Sequence, residues 1–226
     1  MEYGIREIPR ILNVNEHHMA LVLLVDTSGS MEGYPIEELN RGINRFKEQV
    51  CKDSDTQKIL DVAVVEYNDN ANLVQDFVPV SYMDNIQLTA GGRTYMSDAI
   101  RMAVDMVADR SRFYYRSGTA PYKPWIMLLS DGYNMDDVSD VANEIRQLEA
   151  TDKLKFFCVG VGDEYDSNTL HRLAGEKVMK LKDYDFSQLF DWIYKSMRSI
   201  SVSSPGERPQ AVSLPENIDK DTTGWF

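Results

Sequence analysis

The stretch "LVLLVDTSGSMEG", residues 21–33, runs five apolar residues into Asp26 and then sets Thr27, Ser28 and Ser30 around Gly29. An apolar run of strand length predicts a strand buried on both faces, as in a parallel sheet. A loop this rich in oxygen, directly after a buried strand, raises three chemistries: phosphate binding, nucleophilic catalysis and metal ligation. Gly29 is expected to let the loop turn so that Ser28 and Ser30 face one point.

Working outward, strand-length apolar runs alternate with segments of helical period, which predicts a doubly wound α/β fold. Pro35, Glu37 and Glu38 open a helix whose Ile36, Leu39, Ile43, Phe46 and Val50 share a face. "KILDVAVVEY" (58–67) and "ANLVQDF" (71–77) flank the turn formers Asn68-Asp69-Asn70, predicting a hairpin and one antiparallel edge strand. A helix follows over about 97–109, then a strand in "WIMLLSDG" (125–132). Val138, Val141, Ile145 and Leu148 mark the next helix, and "LKFFCVGVG" (154–162) the next strand. A short helix near 169–174, a short strand at 178–181 and a helix from Phe186 complete the pattern. The expected architecture is a mostly parallel central sheet of about six strands, with helices on both faces. Residues 1–18 read as a lead-in, 19–200 as the domain, and 201–226 as a flexible tail rich in Ser, Pro and charge, with docking onto a partner or onto its own domain as the alternative that the Trp225-Phe226 end raises.

Composition narrows the partners. The chain has 226 residues, 43% of them hydrophobic, enough for one substantial core. Its net charge of −12 repels nucleic acid and anionic membrane surfaces and favours cations or basic partners. The N-terminal residues lack the apolar core of a signal peptide, and no run reaches the roughly 18 residues needed to span a bilayer. The expectation is a cytoplasmic protein in which Cys51 and Cys158 are buried free thiols. One basic and aromatic segment, "RSRFYYRSGTAPYKPW" (110–125), reads as a helix end and long loop, with a protein contact surface as the alternative.

A phosphate loop of the Walker type needs glycines and a lysine that "DTSGSMEG" does not supply. An aspartyl phosphatase would carry a second acid two residues on, where Ser28 stands, and the serine-hydrolase pattern G-x-S-x-G is not present. His17, His18 and His171 are the only histidines, and none neighbours a candidate nucleophile. Metal ligation fits best. A hard cation takes oxygen ligands, and Asp26, Ser28 and Ser30 leave the C-terminal end of a strand, where open α/β sheets bind ligands. The loops carrying Thr94 and Asp131 are expected at the same edge.

"DTSGSM", "GGRT" and "LLSDG", in this order, resemble the metal-ion-dependent adhesion site of a von Willebrand factor type A domain, a Rossmann-like fold. The resemblance covers roughly residues 15–200. It implies that Ser28 and Ser30 contact the metal directly, Thr94 directly or through water, and Asp26 and Asp131 largely through water. It also implies Mg²⁺, with Mn²⁺ or Ca²⁺ as alternatives, and a protein partner whose Asp or Glu completes the coordination. "GYPIEELNRGI" and "FSQLFDWIYKSM" are similar to bacterial TerY-type proteins, which implies a stress or signalling context and a kinase or phosphatase as partner. Arg93, directly before Thr94, departs from the family's usual Gly-Gly-Thr and is read as an aid to gripping a carboxylate. No evident general base accompanies the site, so the chain is read as a binding module; a metal-dependent hydrolase or phosphatase is the alternative.

Overall fold

The computed structural model describes residues 15–119, 121–163, 165–203 and 212–220. In chain order these form β1 (Met19–Asp26), α1 (Tyr34–Cys51), the one-turn α2 (Thr56–Ile59), β2 (Leu60–Tyr67), β3 (Ala71–Pro79), α3 (Ser97–Arg116), β4 (Trp125–Ser130), α4 (Ser139–Ala150), β5 (Lys155–Val161), α5 (Ser167–Ala174), β6 (Val178–Leu181), α6 (Phe186–Ser201) and β7 (Ile218–Lys220). The sheet order is β3-β2-β1-β4-β5-β6-β7. Strands β2, β1, β4, β5 and β6 run parallel, and β3 and β7 close the two edges antiparallel.

Strand period sorts the core into two halves. Met19, Leu21, Leu23 and Val25 of β1 face α1 and α6, whereas Ala20, Val22 and Leu24 face α3, α4 and α5. All eight residues of β1 are buried, as its unbroken apolar run requires. Helix α1 starts after Gly33, with Pro35 in its first turn, and buries the predicted stripe Ile36, Leu39, Ile43, Phe46 and Val50. It packs closely on α6 because Gly42 has no side chain: a Cβ there would stand 2.7 Å from the Phe190 ring.

The structure departs from the sequence reading in three places. Lys58 and Ile59 belong to α2, so β2 starts only at Leu60. Helix α3 runs on to Arg116 because part of the basic and aromatic segment is core: Arg110 and Tyr114 are buried. Arg110 donates from Nη2 (2.6 Å) and Nε (3.2 Å) to Asp61 Oδ2, and Tyr114 Oη donates to the same oxygen. Phe113 lies under the Arg110 guanidinium, whose carbon is 4.8 Å from the ring centre, whereas Arg112, Tyr115, Tyr122 and Lys123 line a cavity of about 710 Å³ between α3 and α4.

The third departure is the tail. The segment 212–220 docks on its own domain: β7 pairs with β6, Ile218 is buried, and Trp192 Nε1 donates to the Val212 carbonyl at 3.1 Å. The sheet therefore has seven strands and two antiparallel edges. Trp225 and Phe226 lie outside the described residues. Cys158 is buried and Cys51 half-buried, and both are free. Among the described residues no helix is long and apolar enough to cross a membrane.

Two predictions follow from these contacts. Replacing Arg110 by Met strands the buried Asp61 carboxylate and should cost about 3–5 kcal/mol in urea unfolding, with partial recovery on adding Asp61→Asn. Gly42→Ala should destabilise by about 1–3 kcal/mol through overpacking against Phe190, although alanine favours an isolated helix.

Candidate functional site

The chain passes from β1 to β2 on one side and later to β4 on the other, so the sheet order reverses at β1. The crevice outside the strand ends at such a switch point is where open α/β sheets bind ligands. Register puts the relevant residues level: Asp26 pairs with Tyr67 of β2, and Val25 with Leu129 of β4, one residue before Ser130 and two before Asp131. The loops after β1 and β4 therefore leave the same edge side by side.

The third contributor, the loop ahead of α3, is tied to the first by backbone. Gly29 N–H donates to the Gly92 carbonyl at 3.0 Å, and Gly91 N–H donates to the Thr27 carbonyl at 2.9 Å. A Cβ on Gly29 would lie 3.3 Å from the Gly92 oxygen. Gly29 does not have a positive φ, unlike Gly92 at +85°. Its role is close approach between two loops, which corrects the expected role in turning the chain. The loop after β4 joins in turn: Met135 N–H donates to the Thr94 carbonyl at 2.9 Å. Asp136 caps the start of α3, accepting from Met96 N (3.2 Å) and Ser97 N (2.9 Å).

These ties gather all the predicted side chains. Ser28 Oγ and Ser30 Oγ are 3.0 Å apart, and Ser30 Oγ donates to Asp131 Oδ1 at 2.7 Å. With the Ser30 proton on Asp131, Ser28 is the donor of the first bond. Gly132 measures the convergence of the hydroxyls. A Cβ there would stand 3.3 Å from Ser30 Oγ, 3.4 Å from Thr94 Oγ1 and 4.0 Å from Ser28 Oγ. Asp26, Ser28, Thr94 and Asp131 are buried while Ser30 is exposed, so the cluster opens to solvent at Ser30.

Asp26 sits deepest. Its Oδ1 accepts from Ser28 N at 2.9 Å and its Oδ2 from Ser130 Oγ at 2.9 Å. Burial pushes its carboxyl up to about 6, against the lowering pull of the Ser28 contacts, and Asp131 adds to the rise. Burial also raises Asp131, opposed by the Ser30 hydrogen bond. These two acids take their hydrogen bonds from neutral groups, unlike Asp61 with its guanidinium. The resulting set of three hydroxyls and two carboxylates is the chemistry a hard cation takes. Among the described residues no three His, Cys, Asp or Glu side chains gather, here or elsewhere, so the candidate site depends on its hydroxyls beside two acids.

Sequence reasoning missed Ser130, although its place directly before Asp131 on the strand beside β1 is the signal that puts it under Asp26. It also missed Asp136 and Asn68, whose Nδ2 donates to Thr27 Oγ1 at 3.2 Å. Arg93 is exposed; its Nε lies 3.2 Å from Asp69 Oδ1 and its guanidinium 5.6 Å from the Tyr95 ring centre. The histidines stand apart from the cluster. His18 precedes β1 at the opposite end from Asp26, stacked on Tyr114; His17 lies against Tyr122; and His171 on α5 contacts the Gly175 carbonyl at 2.8 Å.

Comparison with known proteins bears on the fold and the family. The human collagen alpha-1(XXI) chain is 29% identical over 181 residues, covering 73% of this chain, which spans 17% of that collagen. The von Willebrand factor domain of the type V pili tip protein Mfa5 from Porphyromonas gingivalis superposes with a TM-score of 0.61 at 13% identity, covering 85% of this chain and 98% of that one. Proximal thread matrix protein 1 of the mussel byssus, solved with a zinc-occupied adhesion-site motif, gives a TM-score of 0.52 at 17% identity over 84% of this chain and 46% of its own. A family model for the von Willebrand factor type A domain matches residues 20–192. The chain belongs to the von Willebrand factor type A domain family.

Proposed function

We propose that this chain is a divalent-cation-dependent protein-interaction module in which Ser28 and Ser30 hold the metal directly, Thr94 directly or through water, and Asp26 and Asp131 largely through water. The observation that carries the reading is a pair of buried carboxylates held by neutral donors beside three converging hydroxyls. Both Asp26 oxygens already accept protein hydrogen bonds, which suits a role through water. Mg²⁺ fits the oxygen set, as do Mn²⁺ and Ca²⁺; the zinc-occupied motif of the mussel protein supports a divalent ion in the same fold. A cation ligated mainly by neutral hydroxyls keeps much of its charge and attracts a carboxylate from outside. The partner is accordingly a protein that presents an Asp or Glu.

The names of the similar proteins, a collagen chain, a byssus matrix protein and a pili tip protein, support an interaction role over catalysis. The histidines, placed away from the cluster, leave it without an imidazole base. The TerY-type bacterial context, cytoplasmic placement and a kinase or phosphatase partner belong to the same proposal. They rest on the segments 33–43 and 186–197 and on the free thiols, which suit a reducing compartment.

Titration calorimetry with Mg²⁺, Mn²⁺ and Ca²⁺ tests the site. Wild type should bind, and Ser28→Ala and Thr94→Ala should each bind at least about tenfold more weakly, equivalent to about 1.4 kcal/mol, while circular dichroism shows the fold retained. Equal binding by wild type and variants would remove these residues from the site. Affinity capture with and without a chelator tests the function: the partner should be lost on chelation, and one retained equally in both arms would sink metal-dependent recognition. Metal-dependent turnover of a phosphatase substrate, abolished by Ser28→Ala, would favour the hydrolase instead.

A further inference from the structure

Among the described residues seven large apolar side chains are exposed, and four of them are scattered: Leu73 on β3, Tyr82 beyond it, Tyr115 near the end of α3 and Val202 after α6. Single exposed residues of this kind are ordinary. The other three gather at the hydroxyl cluster. Tyr34 (60% exposed) begins α1, four residues after Ser30; Tyr133 (68%) follows Gly132 directly; and Met135 (60%) is tied through its N–H to the Thr94 carbonyl. All three sit on the segments that build the site, at the edge where Ser30 meets solvent. Nothing about loop chemistry asks for Tyr133 or Met135 at their positions, where Gly, Asn, Asp and Ser serve better. Exposed aromatic and methionine side chains around a polar centre are instead typical of protein contact surfaces.

Charge selects the kind of segment that fits. The chain carries a net charge of −12, and its field opposes a run of acids while leaving a single carboxylate free to reach a cation. We propose that the partner segment is a short exposed loop with one Asp or Glu flanked by large apolar side chains, and that Tyr34, Tyr133 and Met135 select it by packing on those neighbours. This rests on the carboxylate reading above and adds to it the identity of the flanking residues. The carboxylate supplies the metal-dependent part of binding, and the rim discriminates among carboxylates.

The test uses the full chain and a displayed library of short random peptides with a fixed central Glu, panned in Mg²⁺ and released with EDTA, alongside a Gln-centred library. The released Glu pool should be enriched in Phe, Tyr, Leu or Met next to the Glu and depleted in further acids. A variant with Tyr34→Ser, Tyr133→Ser and Met135→Ser, all at exposed positions, should keep wild-type Mg²⁺ affinity yet bind the selected peptides about tenfold more weakly or worse. An EDTA-released Glu pool with no apolar enrichment, or equal binding of its peptides by the variant, would overturn the rim proposal and leave the carboxylate reading standing. A Glu library recovered no better than the Gln library would overturn both.

Discussion

The constraint on which the rest depends is the sealing of β1. The strand is paired on both sides and covered on both faces, so its terminal residue, Asp26, is delivered buried to the C-terminal end of the sheet. A carboxylate desolvated in this way is costly unless charge or hydrogen bonds compensate it. Ser28 N–H and Ser130 Oγ answer its two oxygens, but neutral donors offset only part of the cost, hence the upward push on its titration. Asp131, reached from Asp26 through the chain of Ser28 and Ser30, adds a second acid to the same crevice. The fold concentrates two acids where the loops meet, and the Ser28, Ser30 and Thr94 hydroxyls converge beside them.

Much of this could be read in the sequence because periodicity reports directly on burial. Apolar runs such as 21–25 and 125–129 have no polar face, so a parallel sheet covered on both sides is the arrangement that buries them. The stripes of α1 and α6 follow from one-sided contact in the same way. The meeting of the five candidate residues is expected for a different reason: Asp26, Ser28, Ser30 and Asp131 follow the ends of buried strands, and the resemblance of "GGRT" to the family motif adds Thr94. Which strands lie side by side is long-range information. Ser130 is unremarkable until β4 is seen beside β1, and its hydroxyl then becomes the second donor to Asp26.

What escaped the sequence was pairing between distant polar and weakly patterned residues. Arg110 and Tyr114 carry no sign that Asp61, on the neighbouring face of β2, waits for both. By composition they belong to a solvated basic patch, and only the ion pair explains their burial. The segment 212–220 has a tail's composition, yet three backbone pairings with β6 and the burial of Ile218 hold it. Its docking closes an edge that would otherwise expose unpaired N–H and C=O groups, a benefit set by the sheet and invisible in the segment itself.

The two ends of the central strands solve the buried-acid problem in opposite ways. At the end where β1 and β2 begin, Asp61 is answered by Arg110 and Tyr114, a cluster closed by the guanidinium's own charge and by the packing of α3 over it. Such a pair has spent its capacity on fixing one arrangement, and breaking it leaves a charge stranded. At the other end Asp26 and Asp131 are answered by amide and hydroxyl donors, while the Ser28, Ser30 and Thr94 oxygens keep lone pairs turned toward a common opening. The proposed function assigns that deficit to a cation and, because hydroxyls neutralise so little of the cation's charge, to a partner's carboxylate after it. The two acids at this end differ from Asp61 in having no cationic side chain of the chain itself to answer them.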